Sequence, residues 1–288
     1  MAANKSGLID PHVFIAMPSE YKADYQNCHL SLRVSDFQIS VAVLDIDKNH
    51  YIAYENHLIQ TENKSDILEN KIEEILSGFE LLDGNYKSKS VVWSGKTFTL
   101  LPNYLFDSKS LEKYIGYLID SDEKDQLMYD RITSTDIINV YSIPFIIYSV
   151  LLNHMPDIKI LHHLSVFIPT LINKHGDADY IDLNVRRNRF DIVVFRQKEF
   201  LFANTFEYLS YDDILYFLVY ICEQFEIKLG QAEVTIYDET SQIDGIIINL
   251  KNYFESINIG KIPDESSYAE GISAKGDGIT LFSQYQCI

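Results

Sequence analysis

The stretch His29–Gln60 has a second copy further along the chain, and this duplication restricts the fold more than any other feature. The first copy reads Leu30-Ser-Leu-Arg-Val34, then Phe37-Gln-Ile-Ser-Val-Ala-Val-Leu44, then Tyr51-Ile-Ala-Tyr54. The second reads Ile181-Asp-Leu-Asn-Val185, Phe190-Asp-Ile-Val-Val-Phe195 and Phe200-Leu-Phe-Ala203. Apolar residues recur at every second position, as in strands that turn alternate side chains toward a core. Ser35-Asp36 and Asp47-Lys48-Asn49 supply the residue types that hairpin turns favour. The match continues: Asp66-Ile-Leu68 and Asp213-Ile-Leu215 stand where a helix opens after each third strand. Val91-Val-Trp93 and Val234-Thr-Ile236 are the strands after those helices. The pattern predicts a β-β-β-α-β-α unit present twice, on a chain long enough for two lobes.

Taken in order, residues 1–24, with Pro11 and Pro18, read as an arm. Residues 25–175 read as the first lobe with an insertion near 120–142, and residues 176–288 as the second lobe and a C-terminal tail. After the first three strands, Ser65 or Asp66 caps a helix whose apolar positions run through 72, 75, 76 and 79, closed near Gly78. Ser90–Ser94 is a buried strand, the region around Pro102 a loop or short helix, and Ser110–Ile119 a helix. The acidic run Asp120–Asp125 is a surface loop, and residues 126–142 are an extended pair. Pro144 leads an apolar helix to about Asn153. Lys159–Val166 reads as a strand, Pro169–Lys174 as a helix, and His175–Asp179 as the boundary between lobes.

In the second lobe, Ser210 and Asp213 approach a capping box for a helix reaching about Glu226. That helix is apolar on most sides, which predicts burial between a sheet and another layer. Ala232–Tyr237 is a strand, Ile243–Phe254 a helix, and Ile279–Tyr285 a last strand.

The net charge of −18 argues against a nucleic-acid footprint and against docking on anionic lipid, since both need clustered cations. Cys28, Cys222 and Cys287 are far apart, with no CxxC spacing, as expected of reduced thiols in the cytosol. The first residues lack a signal-peptide apolar core, and the most apolar run, Pro144–Leu152, is about half the ~20 residues needed to span a bilayer. The expectation is a cytoplasmic protein with no membrane and no nucleic-acid partner.

A duplicated β-β-β-α-β-α unit resembles the actin-like ATPase superfamily, which includes actin, sugar kinases and the Hsp70 nucleotide domain. The resemblance implies an α/β, two-lobed, actin-like (ribonuclease H-like) fold. The chain also resembles an uncharacterised bacterial family, a domain of unknown function, with that fold. Leu30–Val34, Leu101-Pro-Asn-Tyr-Leu-Phe106, Ala203-Asn-Thr-Phe206 and Asp213-Ile-Leu-Tyr216 carry that likeness, which extends over most of the chain from about residue 26. It brings no activity with it.

In active members of the superfamily, the first turn of each lobe reads Asp-x-Gly and a small polar residue. Its glycine lets backbone N–H groups approach phosphate and its acid holds Mg²⁺ through water. Here the first turn is Arg33-Val-Ser-Asp-Phe37, without glycine, with Ser35 and Asp36 as its polar residues. The second runs from Asp182 to Arg189: Asp182 matches the motif acid, Asn184 stands in the place of glycine, and Arg186, Arg187 and Arg189 follow. Asp238-Glu239 replaces the Gly-Gly expected after the Ala232–Tyr237 strand. These arginines can grip phosphate or carboxylate, or be the solvated charge of an ordinary hairpin turn, and the second reading is preferred. Ser94-Gly-Lys96-Thr97 mimics the end of a P-loop, but Ser90 stands where its first glycine should be.

His162 and His163, in a strand, would face opposite sides and not share a metal. Cys28 beside His29 makes only a weak thiol nucleophile. Catalytic residues and cofactors are therefore expected to be absent. Ser35, Asp36, Lys96, Asp182, Asn184, Arg186, Arg187 and Arg189 are the candidate nucleotide- or anion-binding residues. The leading expectation is a catalytically silent actin-like module acting through a protein partner, with exposed aromatics, including those of helix 210–226, as the contact device. A homodimer remains open. The alternatives are a divergent protein binding Mg-ATP in the interlobe cleft, and a small-anion sensor using the arginine turn.

Overall fold

The alternating segments fold as strands that bury one face against helices. The computed structural model describes residues 13–15, 25–59, 68–118, 125–172, 174, 176–240, 242–263, 265–272 and 278–288. Most of the 1–24 arm, the cap at Ser65 or Asp66, residues 120–124 of the acidic run and His175 lie outside them. The chain divides into two compact units: Met1–Val166 with Glu265–Ile272 and Thr280–Ile288, and Phe167–Asp264 with Ser273–Ile279.

The first unit holds β1 (Val13–Ile15), β2 (Cys28–Val34), β3 (Gln38–Asp45), β4 (His50–Leu58), α1 (Leu68–Gly78) and β5 (Ser88–Trp93). It continues with β6 (Phe98–Pro102), α2 (Leu111–Ile115), β7 (Asp125–Arg131), β8 (Ile137–Pro144), α3 (Phe145–His154), β9 (Lys159–His162) and the start of α4 (His163–Ile172). Its main sheet has the order β1-β4-β3-β2-β5-β9. Strands β6, β8 and β7 form a separate antiparallel sheet, inserted in sequence between β5 and α3. Leu30, Leu32 and Val34 of β2 pack with Ile39 and Val41 of β3, Ile72 and Leu76 of α1, and Ile147 and Leu151 of α3.

The second unit holds β10 (Asp179–Val185), β11 (Arg189–Arg196), β12 (Glu199–Glu207), α5 (Tyr211–Gln224), β13 (Glu233–Asp238), α6 (Ile243–Leu250) and β14 (Ser256–Ile259). Its sheet order is β12-β11-β10-β13-β14. Ile181, Leu183, Val185, Ile192 and Val194 pack against Ile214, Leu218 and Ile221 of α5 and Ile246 and Leu250 of α6. Each such side chain, taken out of water, contributes about 1.5–3 kcal/mol.

The duplication extends to irregularities. β4-β3-β2-β5-β9 and β12-β11-β10-β13-β14 have the same order and directions, and each middle hairpin shifts register at the matching step, Val43/Leu44 and Val194/Phe195. The chain then returns to the first unit, where β15 (Ser267–Tyr268) pairs parallel with β4 and is followed by α7 (Ile279–Phe282) and a 3-10 turn over Gln284–Cys287.

The short helix expected around Pro102 is the 3-10 turn Asn103–Leu105, entered from strand β6, which is held to β8. Three expectations are corrected. The strand expected over Lys159–Val166 ends at His162, because α4 starts at His163 and carries Pro169 inside it. Ile279–Phe282 is helical, not a last strand. Helix Ile243–Phe254 stops at Leu250, where Tyr253 and Phe254 turn back onto the Leu250 carbonyl.

Candidate functional site

Strand alternation that points Ile181, Leu183 and Val185 into the apolar core points Asp182 and Asn184 to the sheet's other face. There Asn184 stands opposite Asp191 on β11, and Asp191 opposite Thr205 on β12. Asn184 Nδ2 donates to Asp191 Oδ2 at 3.2 Å, and the Thr205 hydroxyl to Asp191 Oδ1 at 2.8 Å. Arg186 Nη2 reaches Asp191 Oδ1 at 2.5 Å. Asp191 is wholly buried, so this ion pair is what makes the carboxylate tolerable in the interior. Asp182, also wholly buried, lies in register with Thr235 of β13, and Asn184 with Tyr237. Burial, and secondarily the charge of Asp182, raises the Tyr237 phenol's pKa above its ordinary value. Phe167 meets the Tyr237 ring edge-on at 5.5 Å and the Lys174 ammonium lies 5.7 Å from its centroid.

The reading of all three arginines as solvated turn charge is corrected by this geometry. The Arg186 side chain is only 12% exposed and clamps Asp191, and Arg189 Nε lies 3.5 Å from Glu207. Arg187 alone of the three is exposed.

At two of the three places where the superfamily motif would offer phosphate its backbone donors, N–H groups are taken by the chain's own side chains. In the first turn, Ser35 Oγ accepts from the N–H of Phe37 at 3.3 Å and of Gln38 at 3.1 Å. Beyond β13, Asp238 accepts from the N–H and hydroxyl of Thr240 and from the N–H of Gln242. A carboxylate of the protein thus occupies the approach to α6 where the superfamily's Gly-Gly would leave donors open. Lys96 is exposed, but the neighbouring Gly95 is filled from within: a Cβ there would lie 2.2 Å from the Trp93 indole nitrogen, which donates to the Ser142 carbonyl. A strand, not a helix, follows. The residues present do not fit the Mg-nucleotide arrangement that the superfamily implies.

A second polar cluster sits where β9 becomes α4. His162 and His163 are not on opposite faces, because the strand stops between them; their ring centroids are 4.1 Å apart. The His162 N–H donates to Asp130 Oδ2 at 2.8 Å, His162 Nδ1 meets Asn139 Nδ2 at 2.9 Å, and Asn139 Nδ2 also donates to Ser165. Burial pushes the Asp130 carboxyl up to about 6, against the opposing pull of hydrogen bonds from the His162 N–H and the Ser165 and Tyr141 hydroxyls. Among the described residues, no group of three or more His, Cys, Asp or Glu could hold a metal ion.

The remaining feature is a surface. The capping box of α5 forms: the Ser210 N–H donates to Asp213 Oδ2 at 2.8 Å, and the hydrogen bonds from Leu209 and Ser210 lower the Asp213 pKa. Beyond it, α5 buries Ile214, Leu218, Ile221 and Cys222 but leaves Tyr216 at 64% and Tyr220 at 47% exposure. The expectation that this helix is covered on both sides is corrected; one aromatic face stays open. Asp212, Leu215, Tyr216, Val219, Tyr220 and Glu223, with Tyr253 from the turn after α6, line a groove of about 460 Å³. Tyr211 fits over Gly245 of α6, where a Cβ would come within 2.6 Å of its ring, and Asn249 donates to Asp212 at 2.9 Å, so the groove floor is fixed.

Sequence reasoning named the helix but not this groove, and it missed Asp191 and Asp130; it singled out Asp238 as a replacement for glycine, but not as the acceptor of the Thr240 and Gln242 N–H groups. A signal existed for Asp191, a lone acid in the otherwise apolar strand Phe190-Asp-Ile-Val-Val-Phe195.

The chain belongs to the family described as protein of unknown function (DUF3822), which matches residues 19–257. It is similar to a crystal structure from Bacteroides thetaiotaomicron described as a protein with actin-like ATPase fold and unknown function. That likeness has a TM-score of 0.75 at 20% identity, covering 88% of this chain and 96% of that one. A chain of the PilM-PilN type IV pilus biogenesis complex is similar with a TM-score of 0.52 at 11% identity, covering 90% of this chain and 98% of that one. No curated protein matches. The fold is the actin-like ATPase fold. No helix among the described residues is long and apolar enough to cross a membrane.

Proposed function

We propose that this chain is a catalytically silent actin-like module that works in the cytosol by binding a protein partner, with the outer face of α5 as the contact surface. One observation carries the reading. The phosphate-side donors of the fold are spent internally, on Ser35 in the first unit and Asp238 in the second. An ATPase cannot cradle phosphate with N–H groups already paired to its own side chains. The open aromatic face on α5 supports the partner half of the reading, since exposed Tyr clusters are characteristic of interfaces. A neighbour of the same fold was solved within the PilM-PilN complex, which is consistent with a scaffold used for assembly.

The test has two arms. Millimolar Mg-ATP, ADP and GTP are expected to leave the melting temperature unchanged, whereas a ligand at a hundred times its Kd would add about 2.7 kcal/mol. A photo-crosslinking residue at Tyr216 is expected to capture one defined protein in cells, and the same residue at exposed Glu199 to capture none. A nucleotide shift, or equal capture from both positions, overturns the proposal.

A second reading, a divergent Mg-ATP-binding protein, rests on Asp182, which keeps the motif acid at its place on β10. A melting shift with Mg-ATP that disappears in Asp182→Asn would establish it.

A further inference from the structure

The lining of the α5 groove is ordered along the helix. Asp212, Tyr216 and Tyr220 are four residues apart, and Glu223 stands one further turn on, so all four fall on one helical stripe. At 1.5 Å per residue the two acids are about 16 Å apart along the axis, the span of roughly five residues of extended chain. Between them the rings of Tyr216 and Tyr220 lie nearly parallel, 14° between planes and 6.3 Å between centroids. Tyr253 adds a third ring, and exposed Ile248 lies beyond on α6. The groove therefore combines three tyrosine side chains with an acid at each end, and the lining side chains include no Lys or Arg.

This combination selects charge. Tyrosine faces carry negative quadrupoles that attract a cation lying over them, a guanidinium best of all because it also stacks. Two carboxylates at the ends supply bidentate acceptors for the same group. An acidic partner would meet both of these and the chain's net charge of −18, and would be repelled. We propose that the α5 groove binds an arginine-bearing segment of a partner protein, with guanidinium groups over Tyr216 and Tyr220 and ion pairs to Asp212 and Glu223. This deepens the contact-surface reading given above and rests on it.

The probe is a fluorescein-labelled peptide of alternating Arg and Leu, compared with the same peptide carrying neutral, equally shaped citrulline, titrated with the full chain by anisotropy. The arginine peptide is expected to bind roughly ten times or more tighter than the citrulline peptide, and to weaken as salt rises from about 50 to about 300 mM. Tyr216→Ala with Tyr220→Ala, and separately Asp212→Asn with Glu223→Gln, should each cost the arginine peptide roughly tenfold. Asp212→Asn keeps an oxygen to accept from Asn249, and all four side chains are exposed, so cooperative melting curves close to that of the unsubstituted chain serve as the folding control.

Arginine binding that survives loss of both tyrosines would reduce the effect to general charge attraction and overturn the inference. Equal binding of the citrulline peptide would also overturn it, while leaving an apolar contact surface standing. If neither peptide binds, the cation preference fails, and crosslinking from Tyr216 decides the contact-surface reading separately.

Discussion

The two sheets are copies in backbone and opposites in what fills their second face. Positions pair off through the registers of β2-β3-β4 and β10-β11-β12: Ser31 with Asp182, Arg33 with Asn184, Ser40 with Asp191, Asn56 with Thr205. In the second unit the face is charged, with two buried carboxylates and the Arg186 clamp. In the first, buried Arg33 sits among mostly neutral side chains. Ser40 donates to Asn56 at 2.8 Å, and His29 bridges Ser88 and Ser90 at 2.8 and 3.0 Å. Gln284 from the last turn accepts from Ser90 at 2.6 Å and donates to the Leu32 carbonyl at 2.9 Å. The same strand order and the same bulge thus tolerate a serine–amide network or an ion pair. On that face the scaffold accommodates partners of either kind.

That contrast is open to direct attack, most forcefully at Asp191. Asp191→Ala leaves Arg186 without its buried counterion and should cost about 3–5 kcal/mol, whereas the matched Ser40→Ala, which breaks a neutral bond, should cost about 1 kcal/mol. Urea midpoints measure both, and equal losses would dissolve the distinction between charged and neutral faces.

A pH titration of stability probes two groups of the first unit, His29 and Asp130, through their variants. Burial lowers the His29 pKa to about 4, so between pH 4 and 6.5 the unfolded chain binds more protons there and stability rises with pH. Asp130 is raised to about 6, so from its ordinary value near 3.8 up to pH 6 the folded chain binds more, and stability falls with pH. Each term is roughly 3 kcal/mol at full extent, and they oppose one another in the wild type. His29→Gln should expose a stability that declines as pH rises through 6, and Asp130→Asn one that climbs through the same window. Identical profiles for both variants would remove these two groups as the cause.

Gln284→Ala strips two buried hydrogen bonds from the first face and should cost about 1–3 kcal/mol. The smallest effect belongs to the groove: Tyr216→Ala with Tyr220→Ala should shift stability by only about 0.5 kcal/mol, since the work assigned to those rings is binding.

Much of this was legible in the sequence because the governing signal is local. Period-two runs such as Leu30-Ser-Leu-Arg-Val34 and Ile181-Asp-Leu-Asn-Val185 fix both strand and face, and their repetition fixes the fold. Where the deciding contact is remote, reading failed. Lys159–Val166 mixes Ile, Leu and Val with Lys, two His and a Ser, a pattern compatible with strand or helix, and Asp130, more than thirty residues upstream, accepts the His162 N–H at the point where one becomes the other. Ile279–Tyr285 holds residue types that strands favour, yet its place is set by bonds from Tyr51 to the Phe282 carbonyl and from Gln284 to β2. In the candidate site the residue types were seen and their partners were not: Arg186 looks solvated until Asp191 is known to face it across the hairpin.

The position of Gln284 also sets an order of events. Its bond to Leu32 spans 252 residues of sequence, so the first sheet emerges from the ribosome long before its second face can be closed. At about 5–20 residues per second, the interval between Trp93 and Gln284 lasts roughly 10–40 s. The second unit draws its ion pairs from within its own hairpins and has no such delay. The half synthesised first is therefore the half completed last, and for that interval its polar face stays open to water and chaperones.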